Sequence, residues 1–419
     1  MKAWATFSLG ELGRIVTGRT PPSSQEHYFS GHIPFLTPTD IDGEHRDIST
    51  GRTVSAEWDR AQSRISLPPR AVCVVCIGAT IGKVCMASTH SQSNQQINSI
   101  IVDESRFDPH FIYYRLRVMR NELKKRAAGA ATPILNKSAF SGIEIELPKL
   151  DVQRRVSSIL GAYDDLIKVN RRRIALLEEM AQRVFVEWFV RFNVPMITSG
   201  SQLASLPDGW REATLKSLTS KIGSGATPTG GKRIYDSEGI SLIRSLNVYD
   251  YQFEYDDLAF IDASRAAKLD HVAVEANDVL LNITGASVGR CCMVPTNVLP
   301  ARVNQHVAII RADIRQIHPA YLLDAINNAT NKMKLLNLAN GGATREALTK
   351  ETIERFKIVV PTMDVLRMHE KVVAPIHHLR DVLTQQNHSL RGQRDLLLPK
   401  LVVGDVTVST AERELEAVA

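Results

Sequence analysis

The sequence predicts an α/β protein: two pseudo-two-fold-related α/β domains separated by two long helices that form an intramolecular antiparallel coiled coil. Three observations carry this expectation. The chain is written twice, each copy mixes short strands with turns and a few helices, and each copy ends in a long heptad-patterned segment. The boundaries follow as a first domain over 1–150, a central helix over 151–195, a second domain over 196–362, a C-terminal helix over 363–403 and a tail over 404–419.

The duplication is read from matching strings. Gly78-Ala79-Thr80-Ile81-Gly82-Lys83 returns as Gly285-Ala286-Ser287-Val288-Gly289-Arg290, and Thr17-Gly18-Arg19-Thr20-Pro21 returns as Ser224-Gly225-Ala226-Thr227-Pro228. Ile33-Pro34-Phe35-Leu36 matches Ile240-Ser241-Leu242-Ile243, and Asn94-Gln95 matches Asn304-Gln305 after a small insertion. A period of roughly 210 residues is far longer than the repeat of a solenoid, so this is a duplicated domain. Two similar surfaces suit a ligand that is itself nearly two-fold, and duplex DNA is the commonest such ligand.

Within each copy the strands are β-branched runs punctuated by Gly, Pro, Asn and Asp. They fall at 71–77, 97–102 and 143–147, and again at 278–283, 307–311 and 356–360. Helices follow Pro109 over 111–126 and Pro319 over 320–336, since proline is tolerated in a first helical turn.

The central helix carries an a/d seam of Val156, Leu160, Tyr163, Ile167, Asn170, Ile174, Leu177, Ala181, Val184 and Trp188. The lone polar member, Asn170, reads as a register-fixing residue. The second helix offers Val372, Ile376, Leu379, Leu383, Gln386, Leu390, Gln393 and Leu397, with Pro375 expected to start or kink it and Pro399 with Gly404 to end it. Two such seams in one chain most simply pair with each other, the alternative being that each helix packs only on its own domain. At 1.5 Å per residue the central helix would run roughly 50 Å and hold the two domains apart.

Composition sets limits. A chain of 419 residues leaves room for two or three domains, each with its own core. The net charge of +6 is compatible with nucleic acid without arguing for it. The opening Met1-Lys2-Ala3-Trp4-Ala5-Thr6 has no apolar signal region, and no stretch reaches the ~18 apolar residues of a membrane span. A cytoplasmic protein is expected. Cys73-Val74-Val75-Cys76 has metal-ligand spacing but lies in a strand, where residues three apart face opposite ways. The five cysteines are therefore read as buried thiols, and no metal site is expected.

Candidate contacts cluster on the repeated strings. Gly78-x-x-x-Gly82-Lys83 is one residue short of a phosphate loop, and Val84 stands where a magnesium-binding hydroxyl belongs. The turn either presents amides with Lys83 or Arg290 to a DNA phosphate, or uses its glycines only to turn. Arg19, Thr20 and Thr227 fall on the Thr-Pro loops. Asn94, Gln95, Asn304 and Gln305 carry amides that either read adenine edges or tie down their own turns. Arg171 and Arg172, with Arg173, form either a solvated face or a phosphate or partner contact, and Phe185, Trp188 and Phe189 exceed what a seam needs, suggesting partner docking. There is no Asn-Pro-Pro-Tyr-type tetrapeptide, glycine-rich cofactor loop or nucleophile elbow, so no catalytic residues are assigned.

Taken together, the sequence resembles the specificity subunit of type I restriction–modification enzymes. The resemblance rests on Thr17-Gly18-Arg19-Thr20-Pro21-Pro22, the two glycine turns, Val184-Phe185-Val186-Glu187-Trp188-Phe189, and Arg394-Asp395-Leu396-Leu397-Leu398-Pro399-Lys400-Leu401. It implies two target-recognition domains that each read half of a bipartite DNA target, with helices that set the spacer. It also implies two docked methyltransferase subunits and two restriction/translocase subunits, which would carry S-adenosylmethionine, ATP and magnesium. Alternatives are a DNA-binding or interaction scaffold outside a restriction system, or a fused adenine methyltransferase.

Overall fold

The computed structural model describes residues 4–127, 133–195, 206–226, 235–340 and 347–406. Its chain contacts divide it into Met1–Val169 with Ser389–Ala419, and Asn170–His388. Each unit mixes helix and sheet, and each contains a stretch of both long helices, Leu150–Phe185 and Met363–Val403.

In the first unit an antiparallel sheet runs in the order Gly13–Thr17, Ile97–Val102, Val72–Val75, Val84–Met86. The central strand Val72–Val75 is buried throughout because a core lies on each face. Val72, Val74 and Cys76 pack with Phe111, Ile112 and Leu160, whereas Cys73 and Val75 pack with Leu36, Ile41 and Leu67. That alternation is the period-two geometry of a strand, and it puts Cys73 and Cys76 on opposite faces. All five cysteines are buried and free, and no metal-binding cluster occurs among the described residues. Ile33–Leu36 pairs parallel with Gln92–Ser93 and antiparallel with Thr53–Val54, while Ala5–Ser8 pairs with Glu144–Leu147.

The second unit repeats this plan. Its main sheet runs Thr219–Ser224, Val307–Ala312, Val279–Asn282, Cys291–Met293, and Ile240–Ile243 again pairs parallel with a later strand, Ala301–Val303. Arg211–Thr214 pairs with Lys357–Val360 as the outer ribbon. The expected strands are therefore present in both copies. The helices after Pro109 and Pro319 are each broken once, at Met119 and Asn328.

The central helix buries the expected seam at Val156, Leu160, Tyr163 and Ile167, and Val156 and Leu160 share a core with Leu398, Leu401 and Val402 in the first unit. In the second unit Asn170 and Ala181 are buried, while Ile174, Leu177 and Val184 are half-buried. Pairing is antiparallel there: Asn170 donates to Asn387 Oδ1 (3.1 Å), and Phe185 meets His369 edge-on.

The second helix departs from expectation twice. It runs unbroken from Met363 through Pro375 and Pro399 to Val403, and closes at Gly404 in the left-handed conformation (φ 74°). Proline forfeits one backbone bond, and burial of Leu366, Val373 and Leu383 on the same helix holds the helix across it. Its buried line also lies one residue further on than the aliphatic series indicates. Leu379 and Gln386 are exposed, whereas Val373, His377, Arg380, Asn387 and Arg394 are buried. Leu383 is buried, while Ile376, Leu390 and Leu397 are half-buried on the flank. The buried polar groups have polar or charged neighbours, which is why a polar residue can hold a seam position that hydrophobicity would give to its neighbour.

Candidate nucleic-acid interface

At one end of the first unit's main sheet, four segments meet. The strand Gly13–Thr17 leaves the sheet at Gly18, whose N–H donates to Ile97 O (3.2 Å), and Arg19 N–H donates to Ser93 O (2.8 Å). A Cβ on Gly18 would stand 2.2 Å from Ser93 O, so only glycine lets the two backbones approach this closely. Thr17 Oγ1 donates to Asn98 Oδ1 (2.7 Å), and Thr20 Oγ1 donates to Gln95 Oε1 (2.5 Å). The Gly78–Lys83 turn joins the same end: Gly78 N–H donates to Pro133 O (3.1 Å), and Leu135 N–H donates to Cys76 O (2.8 Å). Gly78 and Gly82 both have left-handed φ (94° and 82°), which accounts for their identity.

The second unit builds the corresponding end. Gly225 N–H donates to Asn304 O (3.2 Å), and a Cβ there would lie 1.6 Å from Val303 O. Gly285 and Gly289 repeat the left-handed turn (φ 71° and 84°). Ile283 N–H donates to His306 O (3.0 Å), and Leu348 N–H donates to Ile283 O (2.8 Å).

The asparagines prove to be framework. Asn94 Oδ1 accepts from Gln96 N–H (3.1 Å), and Asn304 Oδ1 accepts from His306 N–H (3.0 Å). Both are buried, so their amides serve their own turns rather than a base edge. Their neighbours Gln95 and Gln305 are exposed at the two turn tips, as is Arg19. Here the copies diverge. Gln96 Oε1 accepts from Asn94 Nδ2 (2.9 Å), whereas His306 bridges Thr284 Oγ1 (2.6 Å) and Gln305 Nε2 (2.9 Å). With the Gln305 amide donating to Nε2, the neutral ring carries its proton on Nδ1 and donates to Thr284. Lys83 and Arg290 are half-exposed at their turns, and the Arg290 guanidinium stacks over the Tyr249 ring at 4.3 Å. Thr227 lies outside the described residues.

The expected partner-docking residues separate into two groups. Arg171 and Arg172 are exposed on the central helix. Phe185, Trp188 and Phe189 are instead buried in the second unit's core with Trp210, Tyr321 and His369, so they are not a docking surface. Their excess over the seam reflects core formation, since the aromatic rings fill the base of the second unit. Among the described residues, no helix is long and apolar enough to cross a membrane.

The two sheet ends, alike in framework and different in surface side chains, define a duplicated recognition scaffold. Residues 1–179 match the type I restriction modification DNA specificity domain. The chain is 23% identical over 416 residues to the MjaIX type I restriction enzyme specificity subunit of Methanocaldococcus jannaschii, covering 97% of this chain and 94% of that one. It is 36% identical over 165 residues to the HindI specificity subunit of Haemophilus influenzae, covering 38% of this chain and 36% of that one. The crystal structure of a type I restriction–modification S subunit from M. genitalium shares the fold, with a TM-score of 0.64 at 14% identity over 96% of each chain. The chain is thus similar along nearly its whole length to specificity subunits of type I restriction–modification systems, and its first 179 residues match their DNA specificity domain.

Proposed function

We infer that this chain is the DNA sequence-recognition subunit of a type I restriction–modification complex. Each unit reads one half of a bipartite duplex through the sheet end described above. The single observation that carries this is the paired ends: a shared glycine-and-asparagine framework with different residues exposed on it, Gln95 beside Gln96 in one and Gln305 beside His306 in the other. Exposed amides and imidazoles hydrogen-bond base edges, and a fixed framework supplies the positioning that such readout needs.

The long helices set the unread spacer and dock methyltransferase subunits, for which Arg171 and Arg172 are exposed contacts. Chemistry resides on the partners: methyltransferase subunits with S-adenosylmethionine, and restriction/translocase subunits with ATP and magnesium. The chain itself is a non-catalytic reader. The test is selection from a randomised duplex pool with the chain and its methyltransferase partner. A two-part motif with a constant gap is expected, and recovery of no motif would refute the assignment. Equilibrium dialysis of the isolated chain against S-adenosylmethionine separates this reading from a fused methyltransferase, which would bind it.

A further inference from the structure

In the first unit two cations share a corner with no carboxylate between them. Lys83 closes the glycine turn, and Arg120 begins the helix Arg120–Arg126. Gly82 packs directly on that helix start: a Cβ there would lie 2.8 Å from the Arg120 carbonyl oxygen and 3.0 Å from its Cγ. Both side chains flank Gly43 (φ 85°), where an added Cβ would lie 3.2 Å from Lys83 Cγ and 3.5 Å from an Arg120 terminal nitrogen. Neither side chain has an ion-pair or hydrogen-bond partner among the described residues, and Arg120 Nε is buried without an acceptor. The adjacent Asp42 carboxylate is turned to its own loop, accepting from Glu44 N–H (2.8 Å) and His45 N–H (3.0 Å).

The second unit fills the same corner differently. Gly289 packs on the helix Ala329–Asn340, where an added Cβ would meet Leu336 (3.0 Å) and Lys332 Cε (3.9 Å). By the spacing of the flanking repeats, the residue matching Gly43 is Asp250. Its carboxylate pairs with Lys332 Nζ and accepts from Cys291 N–H (3.2 Å). Lys332 also reaches Asn327 Oδ1 (3.0 Å), and Arg290 is engaged with Tyr249. One copy thus carries an internal anion where the other has a glycine beside two unpaired cations.

We propose that Lys83 and Arg120 clamp one backbone phosphate of duplex DNA, in the place that the Asp250 carboxylate fills in the second unit. A guanidinium fork beside an ammonium suits a phosphate, and Gly43 leaves the space for it. The clamp rests on the DNA-recognition reading and adds an asymmetry to it: the first unit holds the backbone at this corner, and the second does not.

The test uses the full-length chain and a duplex recovered from a randomised pool by the unaltered protein, with affinity followed across salt. Each neutralised phosphate contributes about 0.9 to the slope of log affinity against log salt. Lys83→Met with Arg120→Met is expected to make the slope shallower by about that amount without changing the preferred sequence. Gly43→Asp, which imports the second unit's carboxylate and keeps both cations, is expected to do the same, whereas Lys332→Met leaves the slope unchanged. Circular-dichroism melting confirms that each variant is folded. Inorganic phosphate at matched ionic strength is expected not to displace the duplex; displacement would make the corner a free-anion site and overturn the proposal. An unchanged slope in both first-unit variants overturns it as well. Failure of the unaltered chain to select any motif would instead defeat the recognition reading.

Discussion

Asp164 and Arg394, on the two long helices, form a buried ion pair in the first unit, Oδ1 to NH1 at 2.6 Å. Tyr114 donates its hydroxyl to the other Asp164 oxygen (2.6 Å), and Arg394 also bonds Asp395 (2.9 Å) and the Glu44 carbonyl (3.3 Å). This network joins the globular fold to both helices. Arg394 is among the largest fully buried side chains, so its partners decide whether the helix pairing is tolerated at all.

Arg394→Met is expected to cost roughly 3–5 kcal/mol, because it leaves the Asp164 carboxylate buried without its counter-charge. Adding Asp164→Asn should recover much of that loss, since the neutral amide oxygen still accepts from Tyr114. Urea unfolding of the single and double variants measures both steps. If the double variant were no more stable than the single, the penalty would lie in lost Arg394 packing rather than in the stranded charge.

Asn170 performs a related task in the second unit, donating to Asn387 Oδ1 (3.1 Å) and Gln386 Oε1 (3.4 Å). Asn170→Leu should cost on the order of 1–3 kcal/mol by removing a bond from a buried amide. Asn170→Leu with Asn387→Leu should be near neutral or stabilising in the same unfolding assay, at the expense of a unique helix register. Retention of a single register in the double variant, read from crosslinks between cysteines placed along the helices, would show that Asn170 does not set it.

These two polar contacts mark where the sequence was legible and where it was not. Central-helix positions Val156 to Ile167 could be read directly because their burial is apolar, with Tyr163 the one seam ring. The second helix hides its seam, because His377, Arg380, Asn387 and Arg394 are buried while Leu379 stays exposed. Hydrophobic periodicity reports burial only when the buried side is apolar, so it settled one residue out of place. Strands survived this limit because β-branched runs such as Val72–Val75 are buried on both faces. At the Lys83–Arg120 corner the sequence offered Lys83 as a phosphate contact, but its neighbour Arg120 comes from a tertiary contact whose trace is Gly82, required both by φ 82° and by the approach of Arg120. The cluster of Phe185, Trp188 and Phe189 was visible as a cluster, but composition cannot distinguish a core from a docking face.

Acid should weaken the second unit through His369. This fully buried imidazole sits with Nε2 3.4 Å from Asp324 Oδ2, and His377 Nε2 lies 3.4 Å from Asp324 Oδ1. Burial pushes the His369 pKa down to about 4 against the opposing pull of Asp324, with His377 and His318 adding smaller repulsion. The folded chain keeps the ring neutral, whereas the unfolded chain protonates it near its ordinary value of about 6.5. Between those values the unfolded state binds more protons, so this contribution is complete above about 6.5 and is lost as pH falls towards 4. A loss on the order of 1–3 kcal/mol is expected across that window. His369→Phe, which suits the surrounding Phe185, Phe189 and Tyr321 rings, should flatten this part of the pH profile in urea unfolding. An equally steep profile in that variant would move the acid sensitivity to another group.

The two kinds of glycine at the candidate interface should respond differently to alanine. Gly78 needs its left-handed φ of 94°, but an added Cβ would have only Gln96 Nε2 within reach, at 4.0 Å. Gly78→Ala therefore carries a torsional cost of about 1 kcal/mol and leaves its neighbours in place. At Gly18 the obstacle is contact: a Cβ would stand 2.2 Å from Ser93 O and 2.4 Å from Asn94 O, both backbone atoms. Gly18→Ala must push the Thr17–Thr20 segment off the Asn94–Gln96 turn, breaking the Arg19 N–H bond to Ser93 and the Thr20 bond to Gln95. A cost above about 2 kcal/mol is expected, together with weakened DNA selection by the first half-site alone. Gly225→Ala, with Val303 O at 1.6 Å, should produce the matching defect at the other half-site. Denaturation and half-site selection on the three variants test this together. If Gly18→Ala proved as mild as Gly78→Ala, the segment could yield without disturbing the turn, and the Gln95 tip would not be held by it.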